Sequence, residues 1–122
     1  MEAHSISKQL FAEHIYDLLN RSGYYQHTWS IIDDKNYAAG IFGRLVDKNI
    51  KIIIVKILYN EKYPKRPPIV HSSPPIRDAC WDSKGFLHFA IKGDFFAWNS
   101  FRKHSNPLIY LIDELVLKYK VV

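Results

Sequence analysis

Cysteine occurs once in the 122 residues, as Cys80. A single thiol excludes an internal disulfide framework and suits a reducing compartment. No apolar run approaches the roughly 20 residues that cross a bilayer, and the N-terminus carries no apolar signal core. These absences place the expected location in the cytoplasm. Concentrated charge is also missing. The net charge of +5 comes from 17 Lys and Arg against 12 Asp and Glu, scattered apart from a small cluster at Lys62, Lys65 and Arg66. Without a dense basic stripe or a matching motif, nucleic-acid binding is set aside. A preference for acidic partners or anionic membranes is the weaker expectation. His71, Cys80 and His88 are too irregularly spaced for a zinc site, and no metal or cofactor is expected. Repeats, low-complexity segments and linkers are lacking too.

What remains is one domain, residues 1–122, long enough to bury roughly two thirds of its unfolded surface. Its 15% aromatic content is high. Ser5 and Ser7 offer helix caps ahead of Phe11, Ile15 and Leu18, so an amphipathic helix is predicted over about Ser7 to Arg21, stopped by Gly23. Strands are predicted over Tyr24 to Ile32, Tyr37 to Val46 and Ile50 to Tyr59. Turn chemistry at 33–36 and 47–49 joins them into an antiparallel meander. Gly40 and Gly43 mark bulges or close backbone approach. The Ile52-Ile53-Ile54-Val55 run lacks alternation, which predicts a central strand covered on both faces.

Tyr63-Pro64-Lys65-Arg66-Pro67-Pro68 then stops that strand, since proline fixes φ and removes a donor. A short fourth strand is predicted at 68–71, and Ser83-Lys84-Gly85 reads as a turn. Phe95, Phe96, Trp98 and Phe101 form an aromatic cluster. Asn106-Pro107 opens a second helix as cap and first residue, with Leu108, Leu111, Ile112, Leu115 and Tyr119 along one side. The predicted class is α+β, with a helix, a four-stranded antiparallel meander, a structured loop and a C-terminal helix packed on the sheet.

That order, with Tyr63-Pro64-x-x-Pro67-Pro68 after the third strand, resembles the ubiquitin-conjugating enzymes, without their last two helices. In those enzymes a His-Pro-Asn motif precedes a glycine turn, the catalytic cysteine follows three residues after the glycine, and a tryptophan leads to the long helix. Gly85, Trp98-Asn99-Ser100 and Leu108 to Lys120 match the turn, the tryptophan element and the helix. His88 occupies the cysteine position, and Asp78, Ala79 and Cys80 stand where His-Pro-Asn would be. An acyl-imidazole hydrolyses readily and is a poor thioester substitute, and the oxyanion-stabilising asparagine is missing. The resemblance therefore implies a ubiquitin-conjugating-enzyme variant (a UEV domain) and no catalysis.

Cys80-Trp81-Asp82-Ser83-Lys84-Gly85 is similar to the His-Val-Asp-Ala-Asn-Gly run of the UEV domain in the ESCRT-I subunit, with aspartate and glycine in register. For that type the resemblance implies ubiquitin binding at the first hairpin, through Ile31, Asp33 and Asp34 with Leu58. It implies a Pro-rich peptide groove with Tyr59, Tyr63 and Tyr119 as candidate walls, partner ESCRT-I-like subunits, and peripheral recruitment to membranes in endosomal sorting. Each residue also has a plainer reading: Asp33-Asp34 as an ordinary turn, the tyrosines as core, Cys80 as a small buried side chain. The alternatives are a UEV cofactor paired with an active conjugating enzyme in chain synthesis, an atypical enzyme using Cys80, and an RWD-type scaffold without the ubiquitin function.

Overall fold

A computed structural model describes residues 2–21, 29–46, 49, 51–90 and 96–121. The chain is α+β, with helices packed on one face of an antiparallel sheet. Helix α1 spans Glu2–Leu19, earlier than predicted at its start. Ser7 lies inside it and does not cap it. The buried Ser7 hydroxyl donates to the Tyr63 carbonyl and accepts from Tyr59 Oη at 3.1 Å. A tertiary contact, invisible in a local pattern, had the look of a cap. The predicted stop at Gly23 and the start of the first strand lie outside the described residues.

Strands β1 (Trp29–Ile31), β2 (Ile41–Val46), β3 (Ile52–Leu58) and β4 (Ile69–Ser73) form the predicted meander in the order β1-β2-β3-β4. β2 starts later than predicted because Asn36 accepts from Ala38 N at 3.1 Å and caps a 3-10 turn over Tyr37–Ala39. The two glycines mark close approach, and the β2–β3 register runs unbroken through Gly43. A Cβ on Gly40, at φ 118°, would lie 2.1 Å from Ile57 O, and one on Gly43 would lie 2.7 Å from the Trp29 ring. β3 is central, but it alternates: Ile53, Val55 and Ile57 are buried, while Ile52 is 57% exposed. Among the described residues only one face of the sheet is covered, contrary to the reading of its unbroken apolar run.

A short helix α2 (Trp98–Phe101) precedes α3 (Pro107–Lys118), which begins on the predicted Asn106 cap and Pro107. Leu108, Leu111, Ile112 and Leu115 on α3 are wholly buried with Phe11, Ile15 and Leu18 of α1 and the inward residues of β2 and β3. Each such aliphatic side chain contributes about 1.5–3 kcal/mol by leaving water. Tyr119 and Lys120 fall beyond the helix. Lys120–Val121 form a two-residue strand β5, paired with Val46 and Leu45 at the end of β2. No helix among the described residues is long and apolar enough to cross a membrane.

The proline segment is anchored from both sides. Tyr63 is buried, with its ring edge-on to Phe11 at 5.0 Å and its hydroxyl bonded to His14 Nδ1. From the other side, Trp98 Nε1 donates to Pro64 O at 2.7 Å. The Tyr63–Pro64 and Ser73–Pro74 peptide bonds are cis.

Candidate functional site

The loop after β4 is organised by Asp82. Its Oδ1 accepts from Lys84 N at 2.9 Å and Phe86 N at 3.0 Å, while Oδ2 meets His88 Nε2 at 2.9 Å. The bond to His88, then that to Phe86 N, holds the carboxyl down at about 2. Gly85 closes the turn at φ 94°, and its carbonyl accepts from Ser72 N at 2.7 Å, docking the loop on β4. His88 thus presents an imidazole that is 69% exposed, with its Nε2 bonded to the Asp82 carboxylate. Cys80 lies beside it in the backbone, its carbonyl accepting from His88 N at 2.7 Å, but the side chain is half-buried against the core. His71 Nε2 faces Lys84 O at 2.9 Å, away from the His88–Asp82 pair. Among the described residues no group of three His, Cys, Asp or Glu is placed to hold a metal ion.

At the β1–β2 tip, Asp33 Oδ1 accepts from Lys35 N at 3.0 Å, an Asx turn, and Asp34 is exposed beside it. Ile31 is half-buried and packs against the core. The next residue, Ile32, is exposed and is the apolar side chain that the tip offers to solvent. Sequence reasoning passed over it, although strand alternation from the inward Trp29 and Ile31 points to it. Leu58 pairs with Ile69 on the uncovered face, in the row next to Phe42, Lys56 and His71. Ile69, Phe42 and Phe86 are partly exposed there. The outer face is therefore an apolar surface with carboxylates at one end and basic side chains across it.

The three tyrosines do not share one groove. Tyr59 and Tyr63 meet α1 through Ser7 and Phe11. Tyr119 accepts from Trp81 Nε1 at 3.0 Å and donates to Asp78 Oδ2 at 2.8 Å. Burial raises the hydroxyl pKa of both Tyr63 and Tyr119, so each is a neutral structural donor. Lys118 joins Asp78 at 3.4 Å and completes a tie between the loop and the end of α3.

A cleft of about 680 Å³ runs from Ile69 and Phe86 past His88 to Trp98 and Arg102. A second hollow of about 630 Å³, lined by Pro64, Lys65, Asn99, Arg102 and Lys103, adjoins it. No protein-family model, curated protein or solved structure matches the chain.

Proposed function

We propose that the chain is a non-catalytic ubiquitin-binding module, a UEV domain of the ESCRT-I subunit type. One observation carries the reading. When Gly85 is placed on the glycine turn of the conjugating enzymes, the nucleophile position falls on His88, whose exposed imidazole is clasped by Asp82. The sole thiol, Cys80, packs against the core. Thioester transfer needs an accessible thiolate, and an imidazole hydrogen-bonded to a carboxylate does not replace one.

Support for binding comes from the tip and the outer face. Ile32, Leu58, Ile69 and Phe42 offer apolar contact, and Asp33 and Asp34 offer carboxylates. That combination complements the apolar patch and basic rim of ubiquitin. The preference for the ESCRT-I type rests on Asp82 and Gly85, the two residues in register with that type and the two that shape the loop. In this reading the domain recognises ubiquitinated cargo in the cytoplasm, beside ESCRT-I-like subunits that bring it to membranes. Patches of this size bind weakly, at about tens to hundreds of micromolar, and work through avidity.

An amide-shift titration of the labelled protein with unlabelled ubiquitin tests this. Fast-exchange shifts at Ile31–Asp34, Phe42 and Leu58, lost in Ile32→Glu and Phe42→Glu, are expected. Incubation with activating enzyme and ATP should leave no thiol-sensitive adduct. Silence at millimolar ubiquitin would overturn the reading, and a stable heterodimer with an active conjugating enzyme would put the cofactor role in its place. An adduct abolished by Cys80→Ser would make the chain an enzyme.

A further inference from the structure

The cluster of Lys65 and Arg66 in the proline segment has a counterpart that is distant in sequence. The chain turn after α2 brings Arg102 and Lys103 to the same hollow. Hydrogen bonds hold these segments together: Arg102 Nη1 donates to Lys65 O at 3.2 Å, and Trp98 Nε1 donates to Pro64 O at 2.7 Å. Arg102 thus spends one N–H on a carbonyl, which neutralises none of its charge. Four cations, Lys65, Arg66, Arg102 and Lys103, border the two adjoining depressions. Among the described residues the lining holds one carboxylate, Asp82, which is engaged by His88 and two amides. Like charges gathered around adjoining hollows repel one another, so an anion placed among them is favoured. The floor is apolar, built from the rings of Pro67, Phe86 and Trp98.

We infer that this cleft binds an acidic peptide segment of a partner protein, in extended form, with carboxylates facing Lys65, Arg66, Arg102 and Lys103 and an apolar side chain on the Pro67–Phe86 floor. The shape selects among anionic partners. A flat bilayer reaches the bordering cations but not the recessed apolar floor, whereas a peptide side chain reaches both. A cleft of about 680 Å³ has the capacity of a short peptide. Arginine forks suit carboxylates through paired N–H donors, and the proline and aromatic floor gives an extended chain apolar contact. Lys65 and Arg66 alone are an ordinary basic turn. Their pairing with Arg102 and Lys103 across a hydrogen-bonded junction makes a site.

The test is an amide- and indole-shift titration at low salt with an eight-residue peptide of six glutamates around a central Leu-Pro pair. Shifts are expected at Lys65, Arg66, Arg102 and the Trp98 indole, and binding should weaken steeply as salt rises. Arg66→Gln combined with Lys103→Gln should weaken binding about tenfold, since two exposed charge contacts are lost, while the melting temperature stays within a degree or two. The same peptide with lysine for glutamate should not bind. No shifts at millimolar acidic peptide, or undiminished binding to the double variant, would overturn the inference. So would tighter binding to phosphatidylserine vesicles or to an oligo-dT strand, run in parallel. Ubiquitin binding by the outer face is read separately, with Ile32→Glu as its own control.

Discussion

The side-chain amide of Asn106 donates to the carbonyl oxygen of His14 at 2.9 Å, joining two residues 92 positions apart. The same Nδ2 lies 2.9 Å from Asp17 Oδ2, and Oδ1 accepts from Leu108 N at 3.2 Å. One buried side chain therefore caps α3 and fastens it to α1. Asn106→Ala should cost about 2–3 kcal/mol, from the lost cap and the lost buried hydrogen bonds. Asn106→Asp keeps the cap acceptor but turns a carboxylate toward the His14 carbonyl and Asp17, and should be no more stable than the alanine variant. Urea unfolding of the three proteins checks both. The bond from Asn106 is also the main reason that the Asp17 carboxyl lies below the usual range, so its titration should move up in Asn106→Ala.

Gly85 has its φ at 94°, and a Cβ there would sit 2.3 Å from Ser72 O, an atom of the β4 backbone that cannot give way. Gly85→Ala should therefore destabilise by about 3 kcal/mol, combining a left-handed backbone with a steric clash. Amide exchange should show the damage first at Ser72, whose N–H donates to Gly85 O. A variant as stable as the parent would mean that the loop docks differently.

Helix α3 was legible because all its signals are local: Asn106 caps it, Pro107 opens it, and the apolar residues repeat at helical spacing. The meander was legible from its turns. The start of α1 was not, because Ser7 bonds to Tyr63 and Tyr59 across the fold. Alternation in β3 was hidden by isoleucine on both faces, the outward Ile52 included. The site divides in the same way. Asp82 and Gly85 could be read from a six-residue run, whereas the approach of Arg102 to the Lys65 carbonyl spans 37 positions and has no local signature.

The Asp82 carboxyl, held at about 2, offers a spectroscopic check on the loop after β4. Its largest cause is the bond to His88. In His88→Gln the carboxyl carbon of Asp82 should titrate closer to the ordinary 3.8, while the amides of Lys84 and Phe86 keep their bonds to Oδ1. An unchanged titration would show that the two backbone amides hold the carboxylate without the imidazole.

Acid should weaken the fold through His14. Its ring is buried beside Tyr63, and burial lowers its pKa below 6.5, against smaller opposing effects of the Ser105 backbone, Asp17 and Glu13. The unfolded chain therefore takes up a proton before the folded one does. Stability from this residue is complete above about pH 6.5, declines as pH falls below that value, and levels off beneath the folded pKa. Protonation also removes the Nδ1 lone pair that accepts from the Tyr63 hydroxyl. The carboxyls of Asp17, Asp78 and Asp82 are lowered from 3.8, so their contributions are lost only in more acidic solution. Melting temperature should fall between pH 7 and pH 5, and the fall should be largely absent in His14→Gln, which cannot gain a charge there. Tyr63→Phe should lower stability at pH 7 by about 1 kcal/mol, the net value of a buried hydrogen bond, and keep most of the pH dependence, because desolvation of the imidazole is the larger cause. A slope that disappears in Tyr63→Phe would instead assign the effect to the hydroxyl.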